Sequence, residues 1–223
     1  MRVLWLTNTP VGASEYFGET KTTGGWMSAL ETHVKKIEGI SLGVCFFYND
    51  SNEFSFAHKS VTYYPVKAKN SSFAGRIKSK LFNLLDDSNQ AHLLKVIADF
   101  EPDLIQLFGT ESGLGEVLSK VQIPHIIHIQ GLINPCLAAW FPKGVSQRTV
   151  LKNSTLKSRL LKKGIISDYY KTKKMAVREE KILRNAQNFF GRTNWDRNVV
   201  QLYNPAANYF HCDELLREDF YRF

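Results

Sequence analysis

Short apolar strands alternate with helical segments along most of this chain of 223 residues. The first strand, residues 3–6, leads into a polar loop that ends at Gly24 and Gly25, and apolar residues at helical spacing follow over 26–37. Later strands are predicted at residues 41–48, 61–66, 104–108, 125–130 and 188–190. Strands separated by helices in this way form parallel sheets that are covered on both sides. The sequence therefore predicts an α/β fold, a Rossmann-like parallel sheet with helices on both faces.

Cysteine usage and hydropathy favour a soluble protein of a reducing compartment. Cys45, Cys136 and Cys212 are widely spaced and form no C-x-x-C pair, which argues against a disulfide framework and against a zinc site. The apolar run at the N terminus is too short for a signal peptide, and no run approaches the ~18 apolar residues of a membrane span. We therefore expect a cytoplasmic protein with no metal and no bound cofactor.

The net charge of +8 comes from one segment. Residues 148–184 carry 12 Lys and Arg against 3 Asp and Glu, and the rest of the chain carries 17 against 18. A basic helical segment is most often a solvated helix face, but the leucines and isoleucines within this one also fit peripheral contact with an anionic membrane. No recognised nucleic-acid motif accompanies the charge, so nucleic acid is not an expected partner.

Candidate site residues follow the predicted strands. Open parallel sheets bind ligands beyond the carboxyl ends of their strands, where glycine lets the backbone approach a ligand closely. The segments in that position are residues 7–25, 109–111, 130–132 and 191–193, with the less certain 48–52. The candidate backbone contacts are Gly24, Gly25 and Gly131. Glu111 can accept hydrogen bonds from sugar hydroxyls, although capping of the following helix explains an acid there equally well.

Histidine, glutamine and arginine side chains add to this set. His125 and His128 lie three residues apart, so on a strand they face opposite sides and cannot share one metal ion. His128 and Gln130 share a face, with Gln130 nearer the strand end. Arg192 is the best candidate for binding an anion, because a guanidinium can hold a phosphate or a carboxylate with two hydrogen bonds. A surface ion pair is the alternative for this arginine.

Four separated stretches resemble the N-terminal domain of GT-B glycosyltransferases, specifically the large retaining family, the family 4 type, that includes glycogen-synthase-like enzymes and mannosyltransferases. The stretches are MRVLWLTN with GGWM, PDLIQLFGTE, IPHIIHIQG and GRTNWD, and together they span nearly the whole chain. The resemblance implies an enzyme with two Rossmann-like halves and an active site in the cleft between them. The N-terminal half of such enzymes usually receives the acceptor.

The donor half that this resemblance implies is not found in the sequence. Its E-x7-E motif, which holds the nucleotide sugar in such enzymes, has no counterpart here. The expected organisation is a Rossmann-like acceptor-side domain at residues 1–205, which includes the basic helical segment 148–184. A tail at residues 206–223 would lead to an absent C-terminal donor domain.

The resemblance also implies roles for the candidate residues. In such enzymes the glycine loop, here Gly24 and Gly25, approaches the donor phosphate or the acceptor. Gln130 stands where the family often has a histidine, and as the expected catalytic position it can hydrogen-bond a sugar hydroxyl but cannot titrate. His128 lies two residues deeper in the strand, and Arg192 would face the cleft. Retaining transfer in this family is thought to need no metal and to rely on the donor phosphate for handling the proton.

Two functions of different classes follow. The first is the acceptor-binding domain of a retaining hexosyltransferase that moves sugar from a nucleotide-sugar donor to a glycan or lipid-linked acceptor in surface polysaccharide biosynthesis. Such a domain would be inactive alone, and would be cytoplasmic or peripheral on the inner face of the membrane. The second is a non-catalytic Rossmann-like binding module that docks on an anionic membrane or an acidic partner.

Overall fold

The computed structural model describes residues 1–18, 25–67, 90–156 and 164–221. The strands in these ranges form one sheet of eight, in the order β3-β4-β2-β1-β5-β6-β7-β8. They are β1 (Arg2–Thr7), β2 (Ser41–Phe47), β3 (Phe56–His58), β4 (Val61–Val66), β5 (Leu104–Phe108), β6 (His125–His128), β7 (Asn188–Gly191) and β8 (Asn208–His211). Every neighbouring pair is parallel except β3 and β4, which are antiparallel.

The helices of the described ranges connect these strands. They are α1 (Ala13–Tyr16), α2 (Gly25–Val34), α3 (Gln90–Phe100), α4 (Ile133–Ala138), α5 (Gln147–Lys152), α6 (Ile165–Asn185) and α7 (Asn194–Tyr203), with 3₁₀ helices at Gly113–Lys120 and Glu218–Tyr221. α7 begins at a capping box, in which Thr193 and Asp196 each accept a hydrogen bond from the backbone of the other.

Alternate residues of β1 pack on opposite faces of the sheet. Val3 and Trp5 join a buried cluster with residues of α1 and α2, whereas Leu4 and Leu6 join a larger cluster with α3, α6, α7 and the first 3₁₀ helix. A strand that is buried on both faces needs apolar residues at every position, and this explains the continuous apolar run of β1. The predicted fold class, a Rossmann-like parallel sheet with helices on both faces, is confirmed.

The direction of strand addition reverses between β1 and β5. From β1 the chain proceeds through β2 to β4 at one side of the sheet, and then returns to place β5, β6 and β7 on the other side. At such a switch point the loops after the two neighbouring strands leave in opposite directions and open a crevice at their carboxyl ends. The loops after β1 and β5 are therefore expected to border a binding site, with β6 beside them.

The structure differs from the sequence prediction in several elements. β3 and β8 are short strands that the pattern does not predict, and β8 pairs with β7 within the predicted tail. The sequence predicts an irregular stretch at residues 132–144 because it contains Pro135 and Pro142. α4 forms within it, since Pro135 lies in the first turn of this helix, where proline is tolerated. β6 ends at His128, so Gln130 lies beyond the strand. The sequence also predicts helical segments at residues 77–85 and 149–163. Gly24, residues 77–85 and residues 157–163 lie outside the described residues.

Candidate functional site

Buried polar atoms without hydrogen-bond partners lie after β1, β5 and β6. They are Thr9 Oγ1, Ser14 Oγ, Glu111 Oε2, Gln130 Nε2 and both ring nitrogens of His128, and none has a partner within the part of the chain that the structure describes. Each such atom costs about 1–3 kcal/mol when it is shut away from water, so a native protein seldom keeps several of them without a ligand. We call the space at these strand ends the strand-end crevice and regard it as the candidate site.

His128, the last residue of β6, is only 1% exposed. Its ring centroid lies 5.0 Å from that of Trp26, 5.6 Å from that of Phe108 and 5.9 Å from that of Phe190. Burial, with the nearby charge of Arg192, lowers the pKa of His128 to about 4. The imidazole is therefore neutral at neutral pH, so one nitrogen can donate a hydrogen bond to a ligand and the other can accept one.

The Glu111 carboxylate lies between the ends of β5 and β6. A Cβ at Gly109 would collide with it, and a Cβ at Gly131 would lie 3.0 Å from Glu111 Oε1. Gly109 also has a φ of +79°, which favours glycine. Burial and, more weakly, the charge of Glu179 raise the pKa of Glu111, while nearby backbone N–H groups act in the opposite direction. Two glycines thus make room for a carboxylate whose Oε2 can accept a hydrogen bond from a ligand.

Ser112, and not Glu111, caps the 3₁₀ helix Gly113–Lys120. The Ser112 hydroxyl accepts a hydrogen bond from the Leu114 N–H at 3.4 Å. The capping role considered for Glu111 is therefore wrong, and its carboxylate points elsewhere, towards Gly109 and Gly131.

A second buried carboxylate holds the loops around the crevice in place. Glu179 of α6 is fully buried and accepts hydrogen bonds from the Thr110 hydroxyl (2.7 Å) and from the backbone N–H groups of Ile133 (2.9 Å) and Asn134 (2.7 Å). The Asn134 side-chain amide donates to it as well, at 2.8 Å. Glu179 therefore joins the loop after β5 and the first turn of α4 to α6.

A third buried carboxylate fixes the loop after β1. Glu31 of α2 is 3% exposed, and its Oε2 accepts a hydrogen bond from the Gly12 N–H at 3.0 Å. A Cβ at Gly12 would displace this carboxylate from its present position. Burial raises the pKa of Glu31. The contact holds the loop that carries the unpartnered Thr9 and Ser14 hydroxyls.

Arg192, which follows β7, already has partners. Its Nη1 donates to Glu214 Oε1 at 2.6 Å, and its Nη2 donates to the backbone oxygen of Gln130 at 3.4 Å. Glu214 belongs to residues 212–221, which follow β8 and which we call the C-terminal tail. The same tail places Arg217 against Gly25, where an added Cβ would lie 3.2 Å from Arg217 Nε. The tail therefore crosses from the end of β7 to the start of α2.

The structure brings most of the predicted site residues together. Residues at the ends of β5, β6 and β7 contact one another, and the Trp26 ring, next to Gly25 at the start of α2, packs against the His128 ring. The predicted site residues in this group are Gly25, Glu111, His128, Gln130, Gly131 and Arg192. Arg192 forms the ion pair that the sequence left open as its alternative role. Gly24 lies outside the described residues.

Several residues of the site were not singled out from the sequence. Thr9 and Ser14 lie in the polar loop after β1, and the composition of that loop is the only signal that could have found them. Trp26 reads as an ordinary core residue of an amphipathic helix. Glu179 and Arg217 act through contacts with distant parts of the chain, and nothing in their neighbouring sequence indicates these contacts.

The part of the chain that the structure describes contains neither a candidate metal site nor a helix that could span a membrane. Within residues 1–18, 25–67, 90–156 and 164–221, no group of three or more His, Cys, Asp or Glu side chains could hold a metal ion. In the same ranges, every helix is too short or too polar to span a bilayer.

A cavity of about 630 Å³ lies apart from the crevice, between the first 3₁₀ helix and α6. His125, at the opposite end of β6 from His128, lines it together with Lys120 and Lys181. Arg178 lines the cavity as well, and its Nη2 donates to the backbone oxygen of Glu111 at 2.6 Å. We place the functional site in the crevice, because the unpartnered atoms of Glu111, His128 and Gln130 lie there.

Comparison with known proteins identifies the fold. No family model and no curated protein matches the chain. Among solved structures, sucrose-phosphate synthase from Thermosynechococcus elongatus matches with a TM-score of 0.54 and 12% identity, over 95% of this chain and 47% of that one. A variant of Os79 from O. sativa in complex with UDP matches with a TM-score of 0.53 and 8% identity, over 99% of this chain and 53% of that one. UGT2 from Phytolacca americana, complexed with UDP-2fluoro-glucose and pterostilbene, matches with a TM-score of 0.50 and 11% identity, over 97% of this chain and 55% of that one.

These similarities are similarities of fold. The chain has the Rossmann-like α/β fold found in GT-B glycosyltransferases, and it spans about half the length of the solved proteins that it matches. Identities of 8 to 12% do not carry individual residues from those proteins to this one.

Proposed function

We propose that this chain is the acceptor-binding N-terminal domain of a retaining GT-B glycosyltransferase of the family 4 type. The complete enzyme, with its donor domain, would transfer a hexose from a nucleotide sugar to a glycan or lipid-linked acceptor in surface polysaccharide biosynthesis. The observation that carries the proposal is the set of unpartnered buried polar atoms in the strand-end crevice. Sugar hydroxyls both donate and accept hydrogen bonds, so one bound sugar can pair Glu111 Oε2, Gln130 Nε2 and the His128 ring.

The chemistry of the crevice suits positioning of an acceptor hydroxyl. Glu111 accepts a hydrogen bond from one hydroxyl, and the Gln130 amide donates to another. His128, whose pKa of about 4 makes it a weak base at neutral pH, orients the reacting hydroxyl rather than removing its proton. In this proposal the proton passes to the departing phosphate of the donor, and no metal takes part.

The donor would be held by a second domain. Support comes from the solved structures, of which this chain spans about half, and from the absence of an E-x7-E motif in its sequence. We therefore expect residues 1–223 to bind an acceptor and to give no transfer from a nucleotide sugar. An assay with a panel of labelled nucleotide sugars and a membrane lipid extract tests this. Robust transfer by the chain alone would contradict the need for a second domain.

Gln130→Ala is expected to weaken binding of the acceptor about tenfold, because a hydrogen bond worth about 1.5 kcal/mol is lost from the crevice. A glycan array probed with residues 1–223 identifies a ligand, and calorimetry then compares the variants. Gln187→Ala, which removes an exposed glutamine side chain outside the crevice, is the matched control and should bind as the wild type does. Equal affinity of the Gln130 and Gln187 variants would count against the crevice as the acceptor site.

One observation favours the second candidate function, docking on an anionic membrane. α6 exposes Lys173 and Lys181, which lie one turn on either side of Val177, and Val177 is itself 52% exposed. Basic side chains beside exposed apolar ones attract a protein to anionic lipid.

The double variant Lys173→Glu/Lys181→Glu should reduce binding to phosphatidylglycerol vesicles at least tenfold, because each lysine contributes about 1 kcal/mol near an anionic surface. Co-sedimentation at low and high salt measures this, with phosphatidylcholine vesicles as the neutral control. If the wild type does not bind phosphatidylglycerol, or binds both lipids equally, the docking function is wrong.

A further inference from the structure

The cavity between the first 3₁₀ helix and α6 has the dimensions of a small-molecule site. Its volume is about 630 Å³, within the range of about 300–1,000 Å³ that such sites occupy. His125, the first residue of β6, lines it, so the cavity lies at the opposite end of this strand from the strand-end crevice. Open parallel sheets bind their usual ligands at the carboxyl ends of the strands, and this cavity is therefore a second, separate space.

Positive charge is concentrated in this cavity. The basic side chains among its described lining residues are Lys120, Lys174, Arg178 and Lys181, and Glu116 is the one carboxylate among them. Lys174, Arg178 and Lys181 recur at intervals of four and three residues, which places them on one face of α6. Lys120 lies in the last turn of the 3₁₀ helix that forms the facing wall. Charges from two separate elements thus converge on one space.

The Arg178 guanidinium is held in place at the cavity wall. Arg178 is only 8% exposed, and its Nη2 donates to the backbone oxygen of Glu111 at 2.6 Å. A side chain that is fixed before a ligand arrives loses little conformational entropy when the ligand binds. A guanidinium also presents its donors in a planar fork that matches the oxygens of a phosphate. Arg178 is therefore a preorganised cation facing the cavity.

Buried apolar residues complete the lining. Leu118, Ile182 and Ala186 line the cavity and are each 6% exposed or less. An inorganic ion would leave this apolar surface uncovered, whereas a compact organic group would bury it favourably. A phosphate ester carries about 1.5–2 negative charges and three acceptor oxygens, so it can interact with several cations at once, and a single carboxylate carries only one charge.

We propose that this cavity is a binding site for a small organic phosphate. Lys120, Lys174, Arg178 and Lys181 surround the phosphate group, and the apolar residues of the lining contact the organic group. The site lies apart from the strand-end crevice, so the inference does not depend on the proposed function and can fail or hold without it.

Calorimetry with residues 1–223 tests this with three probes: phenyl phosphate, inorganic phosphate and phenol. Phenyl phosphate should bind more tightly than either of the others, because only it has both the charge and the apolar group. Lys120→Ala and Lys181→Ala, on opposite walls of the cavity, should each weaken its binding about tenfold, through loss of a charge-assisted hydrogen bond. Lys171→Ala is the matched control, because it removes an exposed lysine of the same helix that does not line the cavity.

Each outcome supports or overturns the inference. Losses in the Lys120 and Lys181 variants, with wild-type binding in the Lys171 variant, would place the phosphate in the cavity. Lack of phenyl phosphate binding by the wild type would overturn the proposal, and so would equal losses in all three variants, which would show attraction to the general charge of the surface. Equal affinity for phenyl phosphate and inorganic phosphate would exclude an organic phosphate as the preferred ligand.

Discussion

Glu179→Ala is expected to lower the free energy of unfolding by about 3–5 kcal/mol. The carboxylate is fully buried and accepts hydrogen bonds from one hydroxyl, two backbone N–H groups and one side-chain amide, on Thr110, Ile133 and Asn134. Alanine removes the acceptor for all of these donors and leaves a void that is too closed for free access of water. The loop after β5 and the start of α4 lose their attachment to α6 at the same time.

Urea denaturation followed by circular dichroism measures this loss. The neighbouring residue supplies the control: Glu180 is partly exposed and pairs with Arg184 at 2.8 Å, so Glu180→Ala should change the free energy of unfolding by less than about 0.5 kcal/mol. Glu179→Gln should lie between the two, since an amide keeps one acceptor oxygen. A loss below about 1 kcal/mol in Glu179→Ala would show that the donors find other partners and that the carboxylate does not hold the loops.

The parts of the fold that the sequence predicts are those with strong local patterns. β1 and β5 read as strands because each is a short, mainly apolar run, and α7 reads as a helix because its apolar residues recur at helical spacing. β3 and β8 lack such a pattern. β3 has only three residues, and in β8, at the edge of the sheet, only Tyr209 is partly buried. β3 pairs with β4, and β8 pairs with β7. The residues of β3 and β8 by themselves do not indicate these partner strands.

The same distinction applies to the site. Glu111 and Gln130 were found from the sequence because a residue after a parallel strand belongs at the carboxyl edge of the sheet, whatever its neighbours are. Glu179 was not found because its partner Thr110 is 69 residues away, and Arg217 was not found because its contact with Gly25 spans most of the chain. Contacts of that kind depend on how whole elements pack.

The hydrogen-bond partners of Glu31, Glu111 and Glu179 distinguish carboxylates that hold the fold together from one that is available to a ligand. Glu31 and Glu179 accept hydrogen bonds from loop backbone, so the fold accounts for them. Glu111 has one oxygen without a partner, between two glycines. A carboxylate oxygen that is shut away from water without a partner costs stability, and such costs are concentrated where a ligand is bound.

His128→Phe is expected to leave the fold as stable as the wild type, or more stable by about 1 kcal/mol, and to weaken acceptor binding about 100-fold. The ring lies among Trp26, Phe108 and Phe190, so phenylalanine fits this environment and removes two buried nitrogens that have no partner. The loss of binding follows from the removal of up to two hydrogen bonds of about 1.5 kcal/mol each. A histidine that only filled the core would give no loss of binding.

The dependence of stability on pH provides a second readout of the same variant. The unfolded chain takes up a proton on His128 near pH ~6.5, whereas in the folded chain the pKa is lowered to about 4. Between these values the unfolded state binds more protons, so the free energy of unfolding of the wild type falls as the pH is lowered. Glu31 and Glu111, with raised pKa values, act in the opposite direction in both proteins, and the difference between wild type and His128→Phe isolates the histidine.

Thermal unfolding at pH 4.5 and pH 7.5 should therefore show a smaller loss of stability on acidification in the variant than in the wild type. The control variant His125→Phe, at the other end of β6, should bind the acceptor as the wild type does. Equal losses in the wild type and in His128→Phe would mean that His128 is not buried in the neutral form, and the reason for treating it as a neutral hydrogen-bonding group would then be gone.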